Sequence, residues 1–150
     1  MAAPPFTFRP YRADDEDAAI ALWLESWMQT YPDIDFAARV KWWRKRWNEE
    51  LVPHATVIVA EVHQLLVGFV TIDANAYLDQ LVVAPNLWGT KLGDMLLDEA
   101  KQLSPHSVTL LVNEDNVRAI GFYRRNGFMH IGKDVNPTSG RPVLKMEWKP

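Results

Sequence analysis

The sequence predicts a mixed α/β sheet, mostly antiparallel, built around a central parallel β-α-β unit with flanking helices. Three observations predict it. Segments with apolar residues at helical spacing are interleaved with short runs rich in valine, isoleucine and leucine. Three of those runs, between residues 55 and 83, are joined by links short enough to require antiparallel neighbours. A strand, a helix and a strand then follow one another at 76–83, 89–103 and 107–112, which is the connectivity of a parallel crossover.

Composition bounds the reading. The 150 residues suit one domain spanning 1–150, and 48% hydrophobic with 23% charged residues excludes disorder, collagen and coiled coil as the main organisation. Lysine and arginine number 16 against 19 acids, a net charge of −3, so nothing favours nucleic acid or an anionic membrane surface. There is no cysteine. That excludes disulfides, thiolate zinc sites and cysteine nucleophiles, and it fits a reducing cytoplasm. No apolar run approaches the roughly 20 residues of a membrane span. The opening MAAPPFTFRP lacks the basic-then-apolar plan of a signal peptide. His54, His63, His106 and His130 show no ligand spacing, so no metal is expected.

Each element has its own signal. FTFRPYR, residues 6–12, alternates as a half-buried strand does, and Pro10 places it at an edge. Asp14, Asp15, Glu16 and Asp17 mark a helix start, where acids meet free N–H groups and the positive dipole end. Ala19, Leu22, Trp23, Ser26, Trp27 and Thr30 carry that helix to Pro32. Asp33 then caps a second helix with Phe36, Val40, Trp43 and Trp47 on one stripe, closed by Pro53. Residues 55–62 and 65–73 are strands turned at His63 and Gln64, and 76–83 is a third, stopped by Pro85. The helix at 89–103 places Leu92, Met95, Leu96, Ala100 and Leu103 near one face. After the strand at 107–112, Asn116 opens a helix that Asn126 and Gly127 close. Residues 128–135 and 142–148 form a hairpin around NPTSGRP.

Two segments carry candidate chemistry. LVVAPNLWGTKLGDMLL, residues 81–97, runs strand, proline turn, glycine, helix. A helix N-terminus with free amides binds anions, and Gly89 and Gly93 allow close backbone approach. It is neither a Walker loop nor a dinucleotide fingerprint. LLVNEDNVRAIGFYRRNGF, residues 110–128, puts Asn116 at a helix start and Tyr123 two turns along the same face. By themselves, Gly89 and Gly93 also suit tight packing, Asn116 a plain N-cap, and Tyr123 an amphipathic core position.

Together, in this order and on these elements, the segments resemble the GNAT superfamily of N-acetyltransferases, in its bacterial single-domain form. Val83, Pro85, Gly89 and Gly93 match the first motif. Asn116, Ala119, Tyr123, Gly127 and Phe128 match the second. Trp88 stands where the family usually has glutamine or arginine, and Lys91 where it has a middle glycine.

The resemblance implies acetyl-CoA as donor, a small-molecule or peptide amine as acceptor, and direct attack within a ternary complex. The cofactor set it implies is Leu81, Val82, Val83, Trp88, Gly89, Thr90, Lys91, Leu92, Gly93, Asp94, Asn116 and Tyr123. Leu81 and Val83 would pair with the pantetheine arm, and the Leu81 amide would polarise the thioester carbonyl. Tyr123 would protonate the leaving thiolate. Asp79 is the nearest carboxylate for a general base, and a paired strand acid is its plainer reading. Water relayed to Glu25 or Tyr31 is another route. Dimers are common among relatives, which leaves a homodimer open.

Seven tryptophans stand out, five of them (Trp23, Trp27, Trp42, Trp43 and Trp47) within one stretch between the first two strands. In the resemblance this stretch lines the acceptor site, which makes Trp27, Tyr31 and Trp42 candidate substrate contacts. The plainer reading is an aromatic seam between two helices. Two other functions compete with catalysis. One is a non-catalytic acyl-CoA binder on the same fold; the other is an interaction module, which requires several exposed tryptophans.

Overall fold

Short links between β-rich runs make antiparallel neighbours, and the computed structural model, which describes residues 6–150, has them. The first five residues of the opening segment lie outside the described residues. β1 (Thr7–Pro10), β2 (Ala55–Val62), β3 (Leu65–Asp73) and β4 (Leu81–Val83) form one antiparallel sheet in that order. β1 is an edge, as Pro10 requires. His63 and Gln64 turn β2 into β3 with φ of 50° and 66°, the left-handed pair that a two-residue hairpin needs. β5 (Val108–Asn113), β6 (Met129–Val135) and β7 (Pro142–Trp148) form a second antiparallel sheet in the order β5-β7-β6.

The helices are α1 (Glu16–Thr30), α2 (Val40–Arg46), α3 (Leu92–Leu103) and α4 (Val117–Arg125). α3 packs on β3 at close range. A Cβ on Gly68 would lie 2.8 Å from Leu96 Cδ1 and 3.0 Å from the Val82 carbonyl, so only glycine admits this approach. Leu92, Leu96, Leu97, Phe69, Val59 and Met146 are fully buried around that contact. At the start of α1, Asp15 accepts from both terminal nitrogens of Arg9 at 2.8 Å and from the Arg12 amide at 2.8 Å. The same arginine donates to Glu61 at 2.6 Å, so one guanidinium ties α1 to β1 and β2.

The tryptophan stretch folds as an aromatic seam. Trp23 stacks on Trp43 with centroids 4.7 Å apart and planes 8° apart. Trp47 meets Phe69 edge-on at 5.1 Å and donates its indole N–H to the Tyr11 hydroxyl at 3.1 Å. Trp23 and Trp27 share Phe36 between them. Trp23, Trp43 and Trp47 are buried, while Trp42 is 44% exposed. With one exposed tryptophan instead of several, the interaction-module reading loses its surface.

Four expectations need correction. The second helix is three turns of different pitch: a 3-10 turn at Ala37–Arg39, α2, and a π turn at Trp47–Leu51. The wider π turn lets Trp47 and Leu51 both face inward. Its cap is Asp35, which accepts from the Ala38 amide at 3.1 Å, in place of Asp33. α3 begins at Leu92, because residues 85–91 are used up in a 3-10 turn and the glycine turn before it. The strand read at 76–83 keeps only Leu81–Val83 in a ladder, and its parallel pairing with β5 reduces to a single bridge, Tyr77 to Thr109. The reason is an extra residue in the β4 segment. Thr71 pairs with Gln80 through its amide at 2.9 Å, yet Asp73 donates to the Tyr77 carbonyl at 3.0 Å. Two residues of one strand therefore span three of the other, a β-bulge at Leu78–Asp79, and bulges bend the strand that carries them.

Candidate active site

The bulge makes a cleft. Leu78 donates to the Thr109 carbonyl and Thr109 to the Ala76 carbonyl, both at 2.8 Å. Beyond that pair β4 and β5 part. The ladder bonds Thr71 N to Gln80 O and Ala84 N to Val67 O bracket β4 against β3. In an antiparallel ladder main-chain groups alternate between the two edges. Gln80, Val82 and Ala84 therefore face β3, and Leu81 and Val83 turn their N–H and C=O outward, where the sheet ends. A pantetheine arm, itself a chain of amides, fits such an edge. Val82, expected among the cofactor contacts, has its main chain committed to β3.

The loop after β4 is the upper lip. The Trp88 indole N–H donates to the Val83 carbonyl at 2.9 Å, folding the ring back onto the strand. Gly89 has φ +82° and is exposed, and a Cβ there would touch nothing within 4 Å, so the loop is open to a ligand. The Thr90 hydroxyl donates to Leu87 O at 2.6 Å. Thr90 and Lys91 are exposed, and Lys91 sits at the N-cap of α3 without a side-chain cap. The next three residues turn inward. Leu92 is core. A Cβ on Gly93 would lie 3.1 Å from Phe122 Cε1, so this glycine serves the packing of α3 on α4. Asp94 accepts from Asn126 Nδ2 at 3.0 Å. The Leu92 amide donates to the Thr90 hydroxyl at 3.3 Å, so of these three only the Gly93 and Asp94 amides are open to the proposed cofactor role.

The lower lip is the start of α4. Asn116 caps it, accepting from the Ala119 amide at 3.2 Å. Tyr123 is buried between Phe122 and Phe128, each ring edge-on. Burial raises its hydroxyl pKa well above the ordinary tyrosine value; the Arg118 guanidinium works against this and Tyr77 adds to it. Tyr77 itself is pushed up to about 12, mainly by burial, with Asp79 adding to it. Both hydroxyls therefore stay protonated at neutral pH. Arg118 lies against the Trp88 ring, its Cζ 3.8 Å from the centroid, so a side chain from α4 meets one from the β4 loop across the cleft.

Asp79 sits on the bulge. Arg46 donates to its two oxygens at 3.1 and 2.6 Å, and Gln80 Nε2 donates at 3.0 Å. A hollow of about 140 Å³ opens beside it, lined by Arg46, Leu51, His54, Thr71 and Tyr77. A larger hollow of about 380 Å³, beside Pro53 and Leu103, holds none of the expected site residues. Tyr31, at the end of α1, donates to Asp115 at 2.7 Å, and Arg141 from the β6–β7 turn lies 4.5 Å over its ring and 3.1 Å from Asp115. Burial and Asp115 together raise the Tyr31 hydroxyl to about 12. Trp27 stacks on Tyr31 at 5.8 Å, whereas Trp42 stands apart from this group on α2.

Sequence reasoning missed Arg46, Asp115, Arg118 and Arg141. Arg118 lies inside the Asn116–Ala119 motif and so was within reach. Arg141 sits in a hairpin turn, where nothing local marks a contact with a residue at the end of α1. Among the described residues, no group of three or more histidines or acids is placed to hold a metal.

A split between two strands, an amide edge on one lip and a buried tyrosine on the other are the arrangement that the resemblance to the acetyltransferase class implies. The comparisons agree. The acetyltransferase (GNAT) family model matches residues 16–128, and the chain belongs to that family. It is 32% identical over 139 residues to the peptidyl-lysine N-acetyltransferase YjaB of Salmonella typhimurium, covering 89% of this chain and 90% of that protein. The solution structure of apo-form YjaB from Escherichia coli superposes with a TM-score of 0.79 at 25% identity, over 96% of this chain and 97% of that one. PaiA N-acetyltransferase from Thermoplasma acidophilum, solved in complex with coenzyme A, shares the fold with a TM-score of 0.77 at 22% identity, over 97% and 99% of the two chains. As a member of this family the protein is an acetyltransferase.

Proposed function

We propose that this acetyltransferase moves the acetyl group of acetyl-CoA directly to the side-chain amine of a peptidyl lysine within a ternary complex. The observation that carries the reading is the outward edge of β4, where Trp88 takes the Val83 carbonyl and the Leu81 groups and the Val83 N–H are left facing the α4 lip that holds Asn116 and Tyr123. When bound, acetyl-CoA supplies an activated thioester. Within Gly89–Asp94, at the N-terminus of α3, the amides of Gly89, Lys91, Gly93 and Asp94 suit its diphosphate, those of Thr90 and Leu92 being used within the loop. The Leu81 N–H, fixed in the sheet, polarises the thioester carbonyl, and a donor that needs no reorganisation is the main stabiliser of acyl transfer. Asn116 holds the cofactor arm. Tyr123, protonated at neutral pH as a tyrosine ordinarily is, donates its proton to the departing sulfur.

Asp79 takes the proton from the acceptor amine. Arg46 fixes the carboxylate but does not use it up, since an ionised carboxylate offers about four lone-pair sites. Trp27 and Tyr31 line the approach. The lysine acceptor is proposed from the relatives, which are named for it. The whole of 1–150 acts as one such domain, and a chain without cysteine suits the cytoplasm.

Two measurements in sequence test this. Calorimetric titration with acetyl-CoA and with CoA should give saturable one-site binding. Thiol release should then be faster with lysine peptides than with free lysine or small diamines. No binding at millimolar ligand overturns the cofactor reading. Binding with turnover of small amines only overturns the acceptor class.

A further inference from the structure

We propose that Arg118 is a phosphate-binding residue, delivered from α4 across the cleft to the nucleotide end of coenzyme A. The inference rests on the acetyl-CoA reading above and adds a contact from the lip opposite the glycine loop. Arg118 stands in the first turn of α4, and Trp88 in the loop after β4. These elements follow the two strands that part beyond the Tyr77–Thr109 bridge, so the pair spans the mouth of the cleft. The Trp88 indole N–H is spent on the Val83 carbonyl, which fixes the ring and leaves its face for the guanidinium.

Arg46 and Arg141 also lie on aromatic rings, but each holds a carboxylate as well, Asp79 or Asp115, and Arg39, on Phe36 at 5.2 Å, stands on the turn before α2 and not at the cleft. Among the described residues Arg118 has no carboxylate within 4.0 Å. It is exposed, yet the ring removes water from one face, and that desolvation lowers its pKa from the ordinary value. A planar cation held flat, with its edge open and no anion of its own, is prepared to receive one. Guanidinium matches phosphate in a bidentate geometry that lysine cannot copy. Trp88 is neutral, so the cation set on this ring comes from the opposite lip.

The test compares wild type, Arg118→Gln and Arg118→Lys by calorimetry, with CoA, dephospho-CoA and pantetheine as probes. Arg118 is on the surface, so all three should melt alike. Arg118→Gln should weaken CoA binding about tenfold or more, the loss expected for a hydrogen-bonded charge, and leave pantetheine binding unchanged. Arg118→Lys should fall between. An equal loss for CoA and dephospho-CoA assigns the diphosphate; a loss for CoA alone assigns the 3′-phosphate. Trp88→Leu/Arg118→Gln should bind no worse than Arg118→Gln if the ring acts through the guanidinium. Wild-type affinity in Arg118→Gln overturns the proposal, and so does a parallel loss for pantetheine, which marks a structural role. Failure of the wild type to bind CoA would remove the cofactor reading itself, a result the variants cannot imitate.

Discussion

Trp43 and Trp88 put one side chain to opposite uses. In the seam under α1 and α2, Trp43 is stacked on Trp23, buried, and its Nε1 meets no acceptor among the described residues. At the cleft, Trp88 satisfies its N–H on Val83 and leaves a face to Arg118. The seam gains from excluding water and tolerates an unpaired polar atom to do so. The cleft fixes its ring through a matched N–H and leaves a cation and a main-chain edge open. The difference separates residues that hold the fold from residues that meet ligand, although both regions are aromatic.

Five tests can break or sharpen that contrast. The largest effect belongs to the seam. Trp43→Ala should cost about 4 kcal/mol of stability, whereas Trp42→Ala, on the exposed side of the same helix, should stay within about 0.5 kcal/mol. Equal melting temperatures for the two would dissolve the distinction. Next comes Tyr123→Phe. It should lower kcat about a hundredfold while calorimetric affinity for CoA stays within about twofold; parallel loss of both would make Tyr123 a packing residue.

Asp79→Asn should follow, with a roughly tenfold fall in kcat at neutral pH that shrinks as rising pH deprotonates the amine without help. An unchanged pH profile together with a lower melting temperature would return Asp79 to its ion pair with Arg46. Alkali comes fourth. Tyr31, Tyr77 and Tyr123 all titrate higher in the fold than in the unfolded chain. Their contribution is complete below about pH 10 and is lost as pH rises through the folded values. Denaturant midpoints should therefore fall above pH 10, and less steeply in Tyr77→Phe. The smallest effect is that of Lys91→Gly, within about twofold in CoA affinity, because an exposed, flexible ammonium is less well placed for a phosphate than a guanidinium already set on a ring. A large loss would transfer the phosphate role from Arg118 to the α3 cap.

Most of the element order was legible, because His63-Gln64, Pro85, Asn116 and Gly127 punctuate runs whose periods differ clearly. The seam was legible as a seam from its helical spacing. The bulge was not. It arises from Gln80 pairing with Thr71 while Asp73 bonds Tyr77, a mismatch of register that no local pattern records. The wide turn at Trp47–Leu51 was hidden for a similar reason, since tertiary burial of two side chains set its pitch. At the site, the backbone-borne features followed from motif order. The side-chain pairs Arg46–Asp79, Arg118–Trp88 and Tyr31–Asp115 did not, because each joins elements far apart in the chain.

The single bridge between Tyr77 and Thr109 has a mechanical consequence. Within each sheet the strands are locked by ladders of directional bonds. Between the sheets the main chain holds at one point, and the rest of the joint is apolar contact, which resists separation but hardly resists sliding. Stiffness is therefore uneven. Each sheet should move as a plate, with shear collecting along the line between β4 and β5. A guest entering that line works against the softest direction in the molecule.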